Sequence, residues 1–311
     1  DLKALRTEGA LTPGHPEFGH TPGVELTTGP LGTGLASAVG FAMAERFTHG
    51  LLDPDTPHGQ SIFDHCVYVI AGDGCLQEGV SAEASSLAGT QKLGNLIVLW
   101  DDNRISIEGD TDIAFSEDVL KRYESYGWHV QRVDWLSEDG SYVEDVHALD
   151  EALDAARDNT DQPSIIALRT VIGWPTPEKS NTGGIHGAKL GEEALRGLKL
   201  ALGADPDAHF AVDEEAVAHS RKQFAQRAQT LRDQWDQRFK QWEEANPERA
   251  ALLKRLRQGE LPQGWEKALP EFPADKAIAT RSASGKVLNA IAPVLPELWG
   301  GSADLGGSNN T

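Results

Sequence analysis

Two kinds of apolar pattern alternate along this chain. Short apolar runs at Cys66–Ala71, Leu96–Trp100, His129–Val133 and Ser164–Thr170 predict strands. Between them Val80–Gln91, Ser116–Tyr126 and Tyr142–Arg157 have helical composition. Strands alternating with helices predict an α/β fold, a parallel sheet with helices on both faces. Such sheets bind ligands just beyond the carboxyl ends of their strands. Before this region, Leu35–Phe47 reads as a small-residue helix, apolar most of the way round and so expected to be buried. The Gly/Pro-dense stretch ahead of it reads as an ordered loop, and the polar, glycine-rich Thr176–Gly191 as a mobile one.

The carboxyl-terminal third has a different rhythm. Asp213–Ala245 predicts one long charged helix with a single apolar stripe, Phe224, Leu231, Trp235, Phe239 and Trp242. Asn246-Pro247 supplies an N-cap with Pro at the first helical position, and the helix Ala250–Gln258 ends at Gly259. The Pro content of 260–276 is that of a linker, and a last helix is expected at Ser282–Ala292.

Charge narrows the partners. The 311 residues carry 48 Asp plus Glu against 28 Lys plus Arg, a formal charge of −20. That excludes the basic footprint a duplex nucleic acid requires and disfavours an anionic membrane surface. The longest apolar runs fall far short of the roughly 20 residues that span a bilayer. Two cysteines, Cys66 and Cys75, fit a reducing compartment. No signal peptide is visible, and a cytoplasmic location is expected, although the chain opens on Asp1 without a methionine.

The candidate chemistry sits at two strand ends. Gly72-Asp73-Gly74 follows the first apolar run and Asp101-Asp102-Asn103 follows the second. Asp73 and Asn103 are thirty residues apart, the length of a crossover through a helix. If those strands are neighbours, the Asp73 carboxylate, the Asn103 amide oxygen and the Ile105 carbonyl converge at one sheet edge. Three hard oxygens with room left over suit Mg²⁺, completed by phosphate oxygens and water. Gly72 and Gly74 let a diphosphate approach the backbone, with the Gly74 N–H as a donor. Singly, each tripeptide reads as a turn; together, after two buried strands, they favour a metal–diphosphate site.

This arrangement resembles the thiamine diphosphate signature, and six segments resemble transketolases. They are Thr12–Glu17, Thr27–Gly32, Gly72–Cys75 with Glu78-Gly79, Asp101–Ile107, Tyr123–Val130 and Gly301–Leu305. The resemblance runs in order along essentially the whole chain. It implies transfer of a two-carbon ketol unit between sugar phosphates, with thiamine diphosphate and Mg²⁺ or Ca²⁺. By similarity, Asp73, Asn103 and the Ile105 carbonyl hold the metal, and Gly74 touches the diphosphate. Gly29, Pro30 and Leu31 border the cofactor rings, with Leu31 and Ile107 as apolar wedges or ordinary core residues. His15 and His186 face the reacting carbons and, for His186, the cofactor; out of context both read as surface imidazoles. Arg281 and Ser308 match positions that grip a substrate phosphate, where Arg281 alone would be a helix-start charge. Glu78 matches a carboxylate at a subunit contact, and otherwise a solvated first-turn residue.

The resemblance also implies an arrangement of domains: 1–245 diphosphate-binding, without its amino-terminal part, and 246–311 a helical linker with the beginning of a pyrimidine-binding domain. Two histidine motifs expected before His15, and the glutamate that activates the aminopyrimidine, lie outside the chain. The family's active site forms between subunits of a homodimer. The chain is therefore expected to be a fragment with about half a site, inactive alone. A stand-alone cofactor-binding module and one subunit of a split transketolase are the alternatives. Dihydroxyacetone synthase, 1-deoxyxylulose-phosphate synthase and phosphoketolase match the Ile105-Ser106-Ile107 and TTGPLGTG segments less well.

Overall fold

A computed structural model describes all 311 residues. In chain order the elements are α1 (Thr33–Leu52), β1 (Val67–Gly72), α2 (Asp73–Gln77), α3 (Gly79–Thr90), β2 (Leu96–Asp102), α4 (Val119–Ser125), β3 (His129–Asp134), α5 (Val146–Asp158), β4 (Ser164–Arg169), α6 (Glu192–Ala201), α7 (Glu214–Ala245), α8 (Pro247–Arg257), α9 (Thr280–Ile291) and α10 (Gly306–Asn309). They fall into two compact units, Asp1–Glu45 with His65–Asp213, and Arg46–Asp64 with Glu214–Thr311.

The first unit holds the sheet. Its four strands are all parallel, in the order β1-β2-β4-β3. Register explains the sequence pattern. The central strands β2 and β4 bury Leu96, Ile97, Val98, Ile165, Ile166 and Ala167 completely, so both read as unbroken apolar runs. The edge strand β1 instead alternates, leaving Tyr68 and Ile70 exposed. One core cluster joins Leu35, Ala38, Val39 and Ala42 of α1 to Leu76, Ala88, Val98 and Ile165. A second joins Ile97, Val133 and Ile166 to Ala152 and Ala156 of α5. Helices on both faces of a parallel sheet are the predicted α/β class.

The Tyr123–Val130 segment is a packing device. Tyr123 is fully buried, exchanges a hydrogen bond with Ser85 Oγ at 3.0 Å and meets Trp128 edge-on at 5.0 Å. Trp128 Nε1 donates to the Ser85 carbonyl at 2.8 Å. Asp118 and Asp145 cap α4 and α5 through their side chains, which places both helix starts a few residues later than composition suggests.

In the second unit the last part of α7 packs through Trp235, Phe239 and Trp242. Trp242 joins Leu52 and Leu253 in a small core with Ile62 and Phe63 at its border. Trp235 Nε1 donates to the Ile62 carbonyl at 3.0 Å. Arg255 clasps Glu297 through two bonds of 2.7 and 2.8 Å, which raises the Arg255 pKa and lowers that of Glu297. Gly285 of α9 lies against Asn310, so α9 and the α10 end are neighbours.

Four local expectations are corrected. In α1 Phe41 is half exposed, so the helix buries one face and not its whole girth. Along α7 Phe224 and Leu231 are 65% and 58% exposed, so the apolar stripe is used only from Trp235 onward. Asn246 and Pro247 take the predicted N-cap and first helical positions of α8, but Asn246 caps through no side-chain bond; its Nδ2 donates backward to the Trp242 carbonyl at 3.0 Å. The stretch 260–276 contains a 3₁₀ turn at Trp265–Ala268. Three short helices, α2, α6 and α10, lie outside the predicted elements; α6 is nonetheless amphipathic. No helix is long and apolar enough to cross a membrane.

Candidate metal and cofactor site

The predicted convergence requires β1 and β2 to be neighbours, and they pair directly, with Gly72 opposite Asp101. Asp73 is the first residue of α2, so Gly72-Asp73-Gly74 is a strand-to-helix junction and not a free turn. Asp73 and Asn103 are each 8% exposed. The Arg104 N–H donates to Asp73 Oδ2 at 2.9 Å and Trp100 Nε1 donates to Oδ1 at 3.2 Å. Those two bonds tie the end of β1 to the end of β2.

Asn103 is oriented by the same logic. Its Nδ2 donates to Asp101 Oδ2 at 2.9 Å, and its Oδ1 accepts from the Ile105 N–H at 2.9 Å. An amide pinned this way keeps its oxygen on the Ile105 side. Arg104, between Asn103 and Ile105, has φ +61, a left-handed turn uncommon for a side-chain-bearing residue. Ile105 then bridges antiparallel to Asp110.

Charged groups crowd the site. Burial pushes the Asp73 carboxyl up to about 6, and the nearby Asp102 and Asp101 charges add to the rise; the Arg104 and Trp100 N–H groups oppose it. Asp102, itself buried, has Arg104 Nε and Arg132 Nη1 at 3.6 Å each. Arg169 donates to the Asp102 carbonyl at 2.7 Å, and burial lowers its pKa. Of these neighbours, Asp101, Asp102 and Arg104 were legible only as parts of a motif, and Trp100, Arg132 and Arg169 were given no role from sequence. Trp100 and Arg132 lie in strand runs whose only legible signal was burial.

The donor set fits a hard cation. A carboxylate offers about four lone-pair positions, and each Asp73 oxygen uses one, leaving each able to accept a cation. Asn103 Oδ1 likewise keeps one. Oxygen donors of this kind are what Mg²⁺ or Ca²⁺ takes.

Other predicted residues gather around this core. A Cβ on Gly74 would lie 3.1 Å from Leu31 Cδ1, and one on Gly29 would lie 3.2 Å from the His15 ring. Gly29 also has φ +145, which side-chain-bearing residues rarely adopt. These approaches put His15 beside Gly29 and Leu31 beside Gly74. The 3₁₀ turn Gly183–Ile185, just before His186, packs Gly183 against the Ile107 carbonyl and Gly109. Leu31 and Ile107 are 52% and 68% exposed, so neither packs in the core of these 311 residues. Pro30, His15, His186 and Glu78 are also exposed. Arg281, second residue of α9, and Ser308, in α10, belong to the other unit. An open cleft of about 300 Å³ shares Asp73 with the site but is otherwise lined by Trp100, Asp102, Arg104, Asp112 and Arg132.

A parallel α/β unit with a carboxylate and a carboxamide at adjacent strand ends has the architecture of a crevice-binding domain. Residues 1–262 match the family described as "Transketolase, thiamine diphosphate binding domain". The chain is 56% identical to the transketolase of Mycobacterium leprae over 312 aligned residues, covering all of this chain and 44% of that protein. The Geobacillus stearothermophilus transketolase is 48% identical, with 45% of its length covered. In structure the chain is similar to a Pichia stipitis transketolase in complex with sedoheptulose 7-phosphate, with TM-score 0.90 and 45% identity over the whole chain. A Campylobacter jejuni transketolase gives TM-score 0.83 at 38% identity. The chain belongs to the transketolase family. It spans a little under half the length of these relatives.

Proposed function

We propose that this chain supplies the metal- and diphosphate-binding half of a transketolase that moves a two-carbon ketol unit from a ketose phosphate to an aldose phosphate. The observation that carries the reading is the pairing of β1 with β2, which brings Asp73 and Asn103 to one sheet edge with open oxygen lone pairs. Family membership names the cofactor, thiamine diphosphate, and the sugar phosphate seen with a relative names the substrate class. When bound, that cofactor supplies an acidic ring carbon and an electron sink for breaking a carbon–carbon bond beside a carbonyl.

Asp73, Asn103 and the Ile105 carbonyl would hold Mg²⁺ (or Ca²⁺), and the Gly74 N–H would meet the diphosphate. Gly29 and Pro30 would form a wall against the rings, with exposed Leu31 and Ile107 presenting apolar surface to them. His15 and His186 would hydrogen-bond substrate oxygens where negative charge develops, and His186 would also touch the cofactor. Arg281, with Ser308, would grip a substrate phosphate; a guanidinium suits a dianion geometrically. The complete enzyme would be a cytoplasmic homodimer, with Glu78 at the subunit contact. Residues 1–245 would be its diphosphate-binding domain and 246–311 the linker and start of the pyrimidine-binding domain.

Two measurements test this. Purified chain, given xylulose 5-phosphate and ribose 5-phosphate with cofactor and Mg²⁺, should show no ketol transfer; turnover would contradict the half-site reading. Because His186 is exposed and on a loop, His186→Ala should shift the Tm of the chain by less than about 2 °C. In the complete enzyme the same change should lower kcat/KM by about 100-fold, the usual scale for a positioned acid–base group. A collapsed thermal transition, or unchanged kcat/KM, would refute the role.

A further inference from the structure

We propose that His49, His58 and Asp64 form a second metal site, independent of the cofactor site, that takes a borderline divalent transition cation such as Zn²⁺. One ligand atom from each, two imidazole nitrogens and a carboxylate oxygen, lie within 4.8 Å of one another. The set belongs wholly to the second unit: His49 is in the last turn of α1, and His58 and Asp64 are in the segment that follows it.

The surroundings orient the ligands. His49 is 4% exposed, and its Nε2 bonds the Thr56 carbonyl at 2.9 Å. A backbone carbonyl can only accept, so Nε2 carries the hydrogen and Nδ1 is the nitrogen aimed at Asp64. That is the outer-shell arrangement of most metal-binding histidines, whose second nitrogen donates to a carbonyl or carboxylate. Asp64 Oδ2 is held by the Ser61 N–H at 3.0 Å, which leaves Oδ1 facing His49 Nδ1 at 2.5 Å. Asp53 is buried and stays outside the ligand set: its oxygens accept from Thr56 Oγ1 at 2.9 Å and Ser61 Oγ at 2.6 Å. Its role is to fix the loop that carries the ligands. The His58 ring lies 4.3 Å from that of His49, tilted by 41°, and its exposure leaves it free to turn a nitrogen inward.

A cation here would replace the hydrogen shared by Nδ1 and Oδ1. Around a tetrahedral ion with bonds near 2.0 Å, two ligand atoms stand about 3.3 Å apart. The Nδ1–Oδ1 pair therefore has to open by less than about 1 Å, within reach of the rotating Asp64 side chain. Two imidazoles and one carboxylate suit Zn²⁺, Cu²⁺, Ni²⁺ or Co²⁺; Mg²⁺ and Ca²⁺ prefer oxygen alone. The fourth position would be open to water.

The test is a Zn²⁺ titration of the 311-residue chain by calorimetry, in excess Mg²⁺ to mask oxygen-only sites, with Co²⁺ absorbance as a second probe. The expected result is saturable binding of one Zn²⁺ per chain and a visible Co²⁺ band of low-coordinate type. His58→Ala, at an exposed position that leaves the fold undisturbed, should weaken Zn²⁺ at least 10-fold and remove the Zn²⁺-induced rise in Tm. Asp64→Asn should do the same, and Asp73→Ala should leave Zn²⁺ binding unchanged. Absence of saturable Zn²⁺ binding, or binding equal in wild type and His58→Ala, would overturn the proposal.

Discussion

Asp73→Ala is expected to abolish metal-dependent binding of thiamine diphosphate, with a loss of at least 100-fold in affinity, or about 2.7 kcal/mol. The size follows from the donor set. Asp73 is the only carboxylate among the three proposed ligands, so its removal takes away the one formal charge that offsets dehydration of Mg²⁺. The fold should survive. Truncation leaves the Arg104 and Trp100 N–H groups without their acceptor, costing about 1–3 kcal/mol, while removing a buried carboxylate that Asp102 and Asp101 already disfavour. Circular dichroism and Tm establish that the chain is folded, and calorimetry reads the affinity. Unchanged cofactor affinity in a folded Asp73→Ala would refute the metal assignment.

A large effect on stability is expected at Gly89, near the end of α3. Helix propensity alone predicts that Gly89→Ala stabilises by about 1 kcal/mol. Packing predicts the opposite. A Cβ there would sit 1.9 Å from the Tyr126 carbonyl oxygen and 3.3 Å from the Trp128 ring. The obstacle is backbone, locked by the Tyr126 N–H bonds to Arg122 and Tyr123 and by the edge-on contact of Tyr126 with buried Tyr123. Overpacking against so stiff a wall costs about 3 kcal/mol or more, which exceeds the propensity gain. The net loss, about 2 kcal/mol or greater, should lower Tm by about 5 °C. A Tm at or above that of the wild type would show that propensity wins.

The sheet was legible because its strands read as short apolar runs, unbroken in β2, where both faces are buried, and kept even in the half-exposed edge strand β1. The convergence of Asp73 and Asn103 was legible because each follows an apolar run, and parallel strands that are neighbours bring their carboxyl ends together. What supports those residues was not. Trp100 and the Arg104 N–H hold Asp73 across a strand pair, 27 and 31 residues away in sequence, and periodicity carries no record of such pairing. The same reason hid the packing of Trp235 on Ile62, 173 residues apart. It also explains the overextended α7 stripe: apolar spacing records which residues share a face, not which part of that face finds a partner. The His49, His58 and Asp64 cluster had no signature either, since its spacing matches no common metal motif.

The most direct test of the central claim is a calorimetric titration of thiamine diphosphate into this chain, first with Mg²⁺ and then with EDTA. The strand-end geometry of Asp73, Asn103 and Ile105 predicts saturable binding with Mg²⁺ that EDTA removes. Binding of equal strength in EDTA, or no binding with Mg²⁺ present, would contradict a preformed metal–diphosphate half-site in these 311 residues.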